Sequence, residues 1–332
     1  MNHQTLLALR LERQCLTAPV SDSDYGALFR DLSPVPCEYW SRPGDPPRLF
    51  QRSLDEDFPY NDHRRSRRDI LKGRFHHGIA YVERADLQLY ACLYRRESLL
   101  PSEAFQILDL LEREGPLTAN QLREITGFGK QVAVALQKLQ EAFLVFEDQI
   151  DCGWDRGFYA FSAEFPDIDW SAYSKSEALA AALPRFFHRI VWANAADVKS
   201  WFNRPAKEVS AALDMLMANG TLTAVEDGYI LAEDLPLLSE PRTPPSGIFA
   251  LHRNDFLVKT WEHRLNSRYP HETHQVLYYL LIDGAIGGAV LGRFSNKVNE
   301  LVLPVLDNPA HENRMTELRS ALAQVTQAPP LF

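Results

Sequence analysis

Residues 118–136, TANQLREITGFGKQVAVAL, decide the fold, because the same pattern returns at residues 194–213 as NAADVKSWFNRPAKEVSAAL. Each stretch opens with a helix-capping residue, Thr118 or Asn194, whose side chain can accept a hydrogen bond from the first helical turn. A short helix, a break and a longer amphipathic helix follow in both, and Pro205 suits the first turn of the second long helix. Equivalent positions keep a nearly constant separation, which indicates a repeated structural unit.

Each copy is preceded by a helix and followed by a hairpin. The apolar spacing predicts helices over residues 104–113 and 182–190, before the first and second copies respectively. Two short strands are predicted after each copy, at 143–147 and 157–161, and then at 222–225 and 229–231. Three helices followed by a two-stranded wing predict a winged helix-turn-helix in each copy. The alternative is a pair of ordinary helical hairpins in a protein-interaction array.

The two ends of the chain differ from this repeat. After a proline-rich linker at 241–246, the pattern predicts a β-meander with a tight first turn at Asp283-Gly284. The strands of this meander are expected at 275–282, 285–294 and 298–305, and a closing surface helix at 312–327. Near the N-terminus the pattern predicts helices at 5–16 and 24–32 and leaves the remaining topology of the first hundred residues open.

Composition limits the possible functions. The chain carries a formal net charge of -9, so adhesion to nucleic acid through total charge is not expected, although a local basic surface can still bind phosphates. Four scattered cysteines without paired spacing argue against a disulfide framework and against a cysteine-type zinc site. Charges inside the first apolar run predict no secretory signal, and no apolar stretch is long enough to span a membrane. We therefore expect a cytoplasmic protein without a metal or another cofactor.

One segment departs from this acidic average. Residues 63–77, HRRSRRDILKGRFHH, hold six Arg or Lys against one Asp, and we call residues 64–74 the basic tract. Such a cluster is typical of surfaces that bind DNA phosphates. The alternative is an internal charge match with the acidic residues 55–57. His76 and His77 have no Cys, Asp or Glu at ligand spacing, so we expect a packing or site-lining role rather than a metal site.

Several short motifs together resemble the winged-helix DNA glycosylases of alkylation and interstrand-crosslink repair, the AlkZ/YcaQ-like family. The resemblance extends over residues 6–305. The motifs that carry it are LRLERQ at 9–14, KGRFH at 72–76, ADL at 85–87, AADVKSW at 195–201 and LHRNDFL at 251–257. The resemblance implies a further winged helix in the first hundred residues, a DNA substrate and hydrolysis without a cofactor.

The expected fold class is α+β, with tandem winged helix-turn-helix domains followed by a small C-terminal β-domain. The expected boundaries are 1–100 for an N-terminal winged-helix-like domain with the candidate site, 101–170 and 176–240 for the second and third winged helices, 247–308 for the β-domain and 309–332 for a helix and tail.

A triplet near the N-terminus is similar to the catalytic signature of this family, which is Gln-aliphatic-Gln or Gln-aliphatic-Asp after a Leu-Gly-type turn. Here residues 32–38 read LSPVPCE, so Pro36 replaces the first Gln and Glu38 keeps a carboxylate at the last position. An alkylated purine is already a good leaving group, and one carboxylate can stabilise the developing oxocarbenium ion and orient a water. The resemblance thus implies that Glu38 is catalytic. The alternative is a loop carboxylate paired with a neighbour such as Arg42.

Other residues are expected to contact DNA. Tyr39 and Trp40 could stack on a displaced base, or could pack in a core as aromatic residues beside turns commonly do. Lys130, Arg204 and Lys207 occupy either recognition-helix positions or a solvated helix face. The full candidate set for substrate and DNA is Tyr39, Trp40, Arg64, Arg65, Arg67, Arg68, Lys72, Arg74, His76, Lys130, Arg204 and Lys207.

The sequence therefore predicts a monofunctional DNA glycosylase that acts on damaged double-stranded DNA. We expect it at the nucleoid, away from membranes and without an obligate protein partner. The alternative is a winged-helix DNA-binding protein without catalysis, which would act as a regulator or a damage-recognition factor. A protein-interaction scaffold is a third class, and it would leave the basic tract unused.

Overall fold

The computed structural model describes residues 2–38, 44–76, 78–97, 99–149, 156–294, 299–326 and 330–332. Helices and small antiparallel sheets build the chain, which confirms the expected combination of the two element types. The elements form three successive units that share one strand order, and a C-terminal sheet follows them.

The first unit is the part whose topology the sequence pattern leaves open. Its sheet has the strand order β1-β3-β2, and short 3-10 helices lie at Phe50–Arg52 and Arg84–Asp86. Its helices and strands are α1 (His3–Arg13), α2 (Asp22–Asp31), β1 (Val35–Pro36), α3 (Asp57–Ser66), β2 (Ile70–Phe75), β3 (Gly78–Glu83) and α4 (Leu87–Tyr94).

The second and third units contain the two sequence copies. The second unit consists of α5 (Ser102–Glu114), β4 (Leu117–Thr118), α6 (Ala119–Thr126), α7 (Gln131–Glu141), β5 (Val145–Gln149), β6 (Arg156–Ala160) and α8 (Phe161–Glu164). The third consists of α9 (Lys175–Ile190), β7 (Trp192–Ala193), α10 (Ala195–Phe202), α11 (Ala206–Ala218), β8 (Leu222–Val225), β9 (Gly228–Leu231) and a 3-10 helix at Ala232–Ser239. Their sheets have the orders β4-β6-β5 and β7-β9-β8. In all three units, the short strand that precedes the later helices therefore pairs with the last strand of the hairpin.

Local chemistry explains why the two copies fold alike. Thr118 and Asn194 both form complete capping boxes at the starts of α6 and α10. The two short helices end on left-handed residues, Gly127 with φ 71° and Asn203 with φ 49°. Gly and Asn adopt this conformation at the lowest cost among the common residues. The apolar spacing predicts the first long helix over residues 128–142, and α7 begins three residues later, at Gln131.

The main hydrophobic core surrounds α9. This helix packs against α1, α2, α4 and α11, and its Leu183, Phe186 and Phe187 are almost completely buried. The second unit has a separate small core of its own, in which Ile107 and Leu122 are fully buried. Three aromatic side chains of the second unit, those of Phe143, Phe146 and Phe161, instead belong to the main core and pack this unit against the first.

The C-terminal sheet confirms the predicted meander. Its strands run in the order β10-β11-β12-β13, and the β11–β12 turn has positive φ at Asp283 and Gly284 (52° and 90°), as a tight hairpin requires. The closing helix is shorter than predicted, because residues 309–314 form a 3-10 helix, and its Leu318 and Leu322 are buried against the sheet. The elements are β10 (Ile248–His252), α12 (Phe256–Thr260), α13 (Glu262–Leu265), β11 (Gln275–Ile282), β12 (Ala285–Phe294), β13 (Asn299–Leu306) and α14 (Met315–Ala323).

Candidate functional site

Glu38 lies half-buried just after β1, a short strand at the edge of the first sheet. Pro36 of β1 pairs with Ala80 of β3 in antiparallel register. Proline cannot donate a ladder hydrogen bond and is tolerated at such an edge. Because β1 runs antiparallel to β3, the chain that leaves Pro36 leads toward the tip of the β2–β3 hairpin at Gly78. The sheet therefore fixes where the loop of Glu38 begins.

A second contact holds the backbone next to Glu38. The side-chain Nδ2 of Asn254 donates a hydrogen bond to the carbonyl oxygen of Cys37 at 2.8 Å. The backbone N–H of Asn254 donates to Nδ1 of His252 at 3.1 Å. Burial lowers the pKa of His252 to about 4, so the ring is neutral at physiological pH and its Nδ1 can accept this bond. The contacts therefore form a chain from His252 through Asn254 to the loop of Glu38.

The stretch that contains Asn254 is itself anchored to the first unit. The next residue, Asp255, forms a buried ion pair with Arg52 through distances of 2.6 and 3.1 Å. Arg52 also donates to the side chain of Gln14, the residue directly after α1, at 2.8 Å. Two of the motifs that carry the family resemblance, residues 9–14 and 251–257, thus meet at one buried polar cluster. Asn254 is not among the site residues predicted from the sequence, and the motif at 251–257 is its only signal there.

The environment of Glu38 includes a protonated tyrosine. Burial raises the pKa of Tyr278 on β11, and the negative charge of Glu38 raises it further. Tyr278 therefore keeps its proton, and Glu38 lies at the boundary between the first unit and the C-terminal sheet. Tyr39 and Trp40, together with Arg42 and His77, lie outside the described residues.

The arginines of α3 and its C-terminal end have internal partners. Arg65 is 9 % exposed and contacts Asp62 at 2.9 Å and Asp148 of β5 at 3.2 Å. Arg68 lies 3.7 Å from Asp148, pairs with Glu164, and stacks its guanidinium over the ring of Tyr159 at 4.5 Å. Both arginines therefore join the first unit to the hairpin of the second.

The remaining cations of the basic tract also have buried or half-buried carboxylate partners within the protein, with two exceptions. Arg64 is buried, pairs with Glu83 and lies over the ring of Phe29 at 4.8 Å. Lys72 on β2 places its Nζ 2.6 Å from Glu147 of β5. The exceptions are Arg67, which is well exposed and lies 3.4 Å from Asp69, and Arg74, whose hydrogen bond goes to the neutral Gln140.

The basic tract is thus largely an interface between two units. We call the contacts of Arg65, Arg68 and Lys72 with Glu147, Asp148 and Glu164 the polar seam. A phosphate role for these three cations would require their ion pairs to open. The alternative predicted from the sequence, an internal charge match with residues 55–57, is correct in kind but wrong in its partners, because Glu56 and Asp57 lie near Arg48 instead. Asp57, for example, accepts a hydrogen bond from Tyr25 at 2.7 Å and pairs with Arg48.

Three of the predicted DNA-binding residues meet at the hairpin tip. Arg74 and His76 of the first unit and Arg204 of the third line a cavity of about 390 Å³. His76 is buried there, with its ring 4.5 Å from that of Trp201 and its carbonyl oxygen accepting from Asn203 at 2.8 Å. We call this cavity the junction pocket, since it also contains residues of the second unit.

Lys130 and Lys207 occupy equivalent positions of the two sequence copies, near the starts of the long helices. Lys130 lies immediately before α7 and Lys207 lies in the first turn of α11, and both side chains are exposed. Arg204 precedes α11 and is held by Glu208 at 2.7 Å. Among the described residues no helix is both long and apolar enough to cross a membrane. Within the same ranges no group of three or more potential metal ligands is found.

Comparison with known proteins matches the chain to a protein family and to a solved structure. The family model described as DNA glycosylase AlkZ-like matches residues 73–325, which is more than half of the chain but does not include Glu38. The solved structure of the Streptomyces sahachiroi DNA glycosylase AlkZ has a similar fold, with a TM-score of 0.68, 14 % identity and 98 % of each chain covered. No curated protein matches the chain in sequence.

Proposed function

The chain belongs to the AlkZ-like family of DNA glycosylases and is a DNA repair glycosylase; we propose that Glu38 is the carboxylate with which it removes alkylated or crosslinked bases from duplex DNA. The observation that carries this proposal is the 2.8 Å hydrogen bond from Asn254 to the carbonyl of Cys37. It connects the loop of Glu38 to residues 251–257 and so supports the carboxylate from a second, rigid element.

The chemistry suits a single carboxylate. In an N7- or N3-alkylated purine the base is cationic, so the bond from C1′ to the base nitrogen breaks with its electron pair passing to the base. Glu38 stabilises the positive charge that develops on the sugar and accepts a proton from the water that attacks C1′. The products are the free base and an abasic site in an intact strand, as a monofunctional enzyme leaves them. The neutral Tyr278 nearby leaves Glu38 as the negative charge at this position.

The three repeated units are proposed to be winged helix-turn-helix domains. Their shared strand order and the matched capping boxes support this interpretation. In this arrangement α7 and α11 occupy the position of recognition helices, with Lys130 and Lys207 at their starts. The domain boundaries proposed are 1–100, 101–170 and 176–240, followed by the β-domain at 247–308 and the closing helix and tail at 309–332.

We propose as DNA contacts those cations that are exposed or line a pocket while the ion pairs of the polar seam stay intact. Arg67, Lys130 and Lys207 are exposed, and Arg74 and Arg204 line an open pocket. These five carry the proposed phosphate contacts, while Tyr39 and Trp40 follow Glu38 directly and are proposed to stack on the displaced base.

Base release from defined duplexes tests this function. Wild-type protein is incubated with a duplex that carries one N7-methylguanine and with a nitrogen-mustard crosslink. The free base from the first duplex is quantified by mass spectrometry, and the separation of the two strands of the second is measured on a denaturing gel, since its detached base stays tethered to the opposite strand. We expect release of the base and strand cleavage only after alkali treatment. Binding without release from either substrate would favour the alternative, a damage-recognition protein without catalysis.

A further inference from the structure

The junction pocket lies where the three units meet. The β2–β3 hairpin supplies Arg74 and His76, the end of α4 and the residues after it supply Tyr94 and Arg96, α7 supplies Glu141 and the α10–α11 turn supplies Arg204. Its volume of about 390 Å³ falls at the lower end of the range for small-molecule and cofactor sites. The polar seam and the aromatic contacts of Phe143 join the second unit, which supplies one wall of this pocket, to the first.

The pocket has an excess of unused hydrogen-bond donors. A guanidinium carries five N–H donors, and the described contacts of Arg74 use one of them, from Nε to Oε1 of Gln140 at 2.9 Å. Arg96 has a side chain that is 70 % exposed and only approaches Glu141, at 3.7 Å. Glu141 is the single carboxylate among the described lining residues, and it is shared with Lys138 at 3.4 Å. The pocket therefore suits an anionic ligand.

The third unit adds to the positive potential. Arg204 uses two donors on Glu208, at 2.7 and 2.9 Å, and the rest of its guanidinium is available to the pocket.

The pocket lies toward the same end of the first sheet as Glu38. Gly73 and Pro36 both pair with Ala80, from opposite sides of β3. From Ala80 the hairpin tip at Gly78 is two residues away, or about 7 Å along the strand. Since β1 leads toward that tip, the loop of Glu38 and the pocket occupy neighbouring positions.

We propose that the junction pocket binds one phosphate group of the DNA strand that carries the damaged nucleotide, with Arg74 and Arg204 as its main ligands. The proposal rests on the proposed function, since it places this phosphate beside the nucleotide whose base is released at Glu38. A phosphate held there fixes the position of the backbone on one side of the lesion. Free phosphate or a free nucleotide offers the same chemistry, and the test separates these sources.

A scan with methylphosphonates locates the phosphate. Each phosphodiester within three nucleotides of a 2′-fluorinated N7-methylguanine, which resists release, is replaced singly by its uncharged analogue, and duplex affinity is measured by fluorescence anisotropy. We expect one position at which the wild type loses roughly tenfold in affinity, as for a charge-assisted hydrogen bond. Arg74→Gln should bind the unmodified duplex with a similarly reduced affinity, and the slope of its log affinity against log salt concentration should be smaller by about 0.9. The methylphosphonate at the sensitive position should not reduce the affinity of this variant any further.

Matched variants complete the test. Arg113→Gln removes an exposed arginine of α5 outside the pocket and should respond to the scan as the wild type does. Arg204→Gln provides a second pocket variant in case Arg74→Gln folds poorly. The proposal would be overturned if the wild type lost the same duplex affinity at every methylphosphonate position. It would also be overturned if inorganic phosphate displaced the duplex at constant ionic strength while no single position reduced the affinity. Base release from a lesion duplex without fluorine is measured in the same preparations. Release without a position effect refutes only the phosphate site in the junction pocket. A position effect without release refutes only the proposed catalytic role.

Discussion

Replacing Glu147 with Gln removes the negative charge at the centre of the polar seam. Its side chain is 7 % exposed and lies 2.6 Å from Nζ of Lys72, which is 10 % exposed, and it also accepts from Gln140 at 3.1 Å. Breaking a buried pair from one side costs roughly 3–5 kcal/mol, because the remaining charge stays buried without compensation. We expect the lower end, about 3 kcal/mol, since Gln keeps part of the hydrogen bonding.

Thermal unfolding measures this loss. For a chain of this length, about 3 kcal/mol corresponds to a decrease in Tm of about 4 °C. The control is Asp109→Asn, which breaks an exposed pair with Arg113 and should cost less than about 0.5 kcal/mol. The double variant Lys72→Gln/Glu147→Gln should recover most of the stability, because no buried charge is then left alone. If Glu147→Gln unfolds at the same temperature as Asp109→Asn, the polar seam does not hold the units together.

The stability lost in Glu147→Gln should depend on pH. Burial raises the pKa of Glu147, but the charge of Lys72 and its hydrogen bond outweigh burial and leave the pKa below its usual value. A carboxylate of this kind stabilises the fold above its unfolded pKa and loses that contribution as the pH falls. The stability difference between wild type and Glu147→Gln should therefore be complete at neutral pH and shrink below pH 4.5.

Three further predictions concern the support of Glu38. Asn254→Leu removes the bond to Cys37 and should slow base release up to about tenfold with DNA affinity retained, and an unchanged single-turnover rate would exclude a positioning role. His252 has an unfolded pKa of 6.5 and a folded pKa of about 4, so only the unfolded state takes up a proton between these values. As the pH falls through that range, the free energy of unfolding of the wild type should decrease by about 3 kcal/mol because of this residue. Urea titrations should show that this decrease is absent in His252→Phe. Pro36→Gln should raise base release by adding a second water-orienting group, and a decrease with a stable fold would contradict this.

The repeat was readable from sequence because its signals are local. A capping residue, a left-handed turn residue and an amphipathic helix each act within a few positions, so Thr118 and Gly127 could be placed without the structure. The first unit gave no such signal, since residues 37–56 separate β1 from α3 and contain only a 3-10 helix among their described residues. Its shared strand order became evident only when the chain pairing was known.

The basic tract shows why the site was harder to predict. Clustered arginines are consistent with phosphates or with distant carboxylates, and Asp148 lies more than 80 positions from Arg65 in sequence. A pattern in one dimension could not identify that partner. The junction pocket is similar, because Arg74 and Arg204 meet only through tertiary packing. The positions of Glu38 and of residues 251–257 came from the family resemblance, and the bond that joins them came from the structure.

Single-turnover release of N7-methylguanine by wild type and by Glu38→Gln tests the central claim most directly. The substitution keeps the size of the side chain and removes the charge that we propose stabilises the oxocarbenium ion. We predict a rate at least about a hundredfold lower for Glu38→Gln, with DNA affinity unchanged or higher because a negative charge is removed. If the wild type releases the base and Glu38→Gln releases it at the same rate, Glu38 is not the catalytic carboxylate.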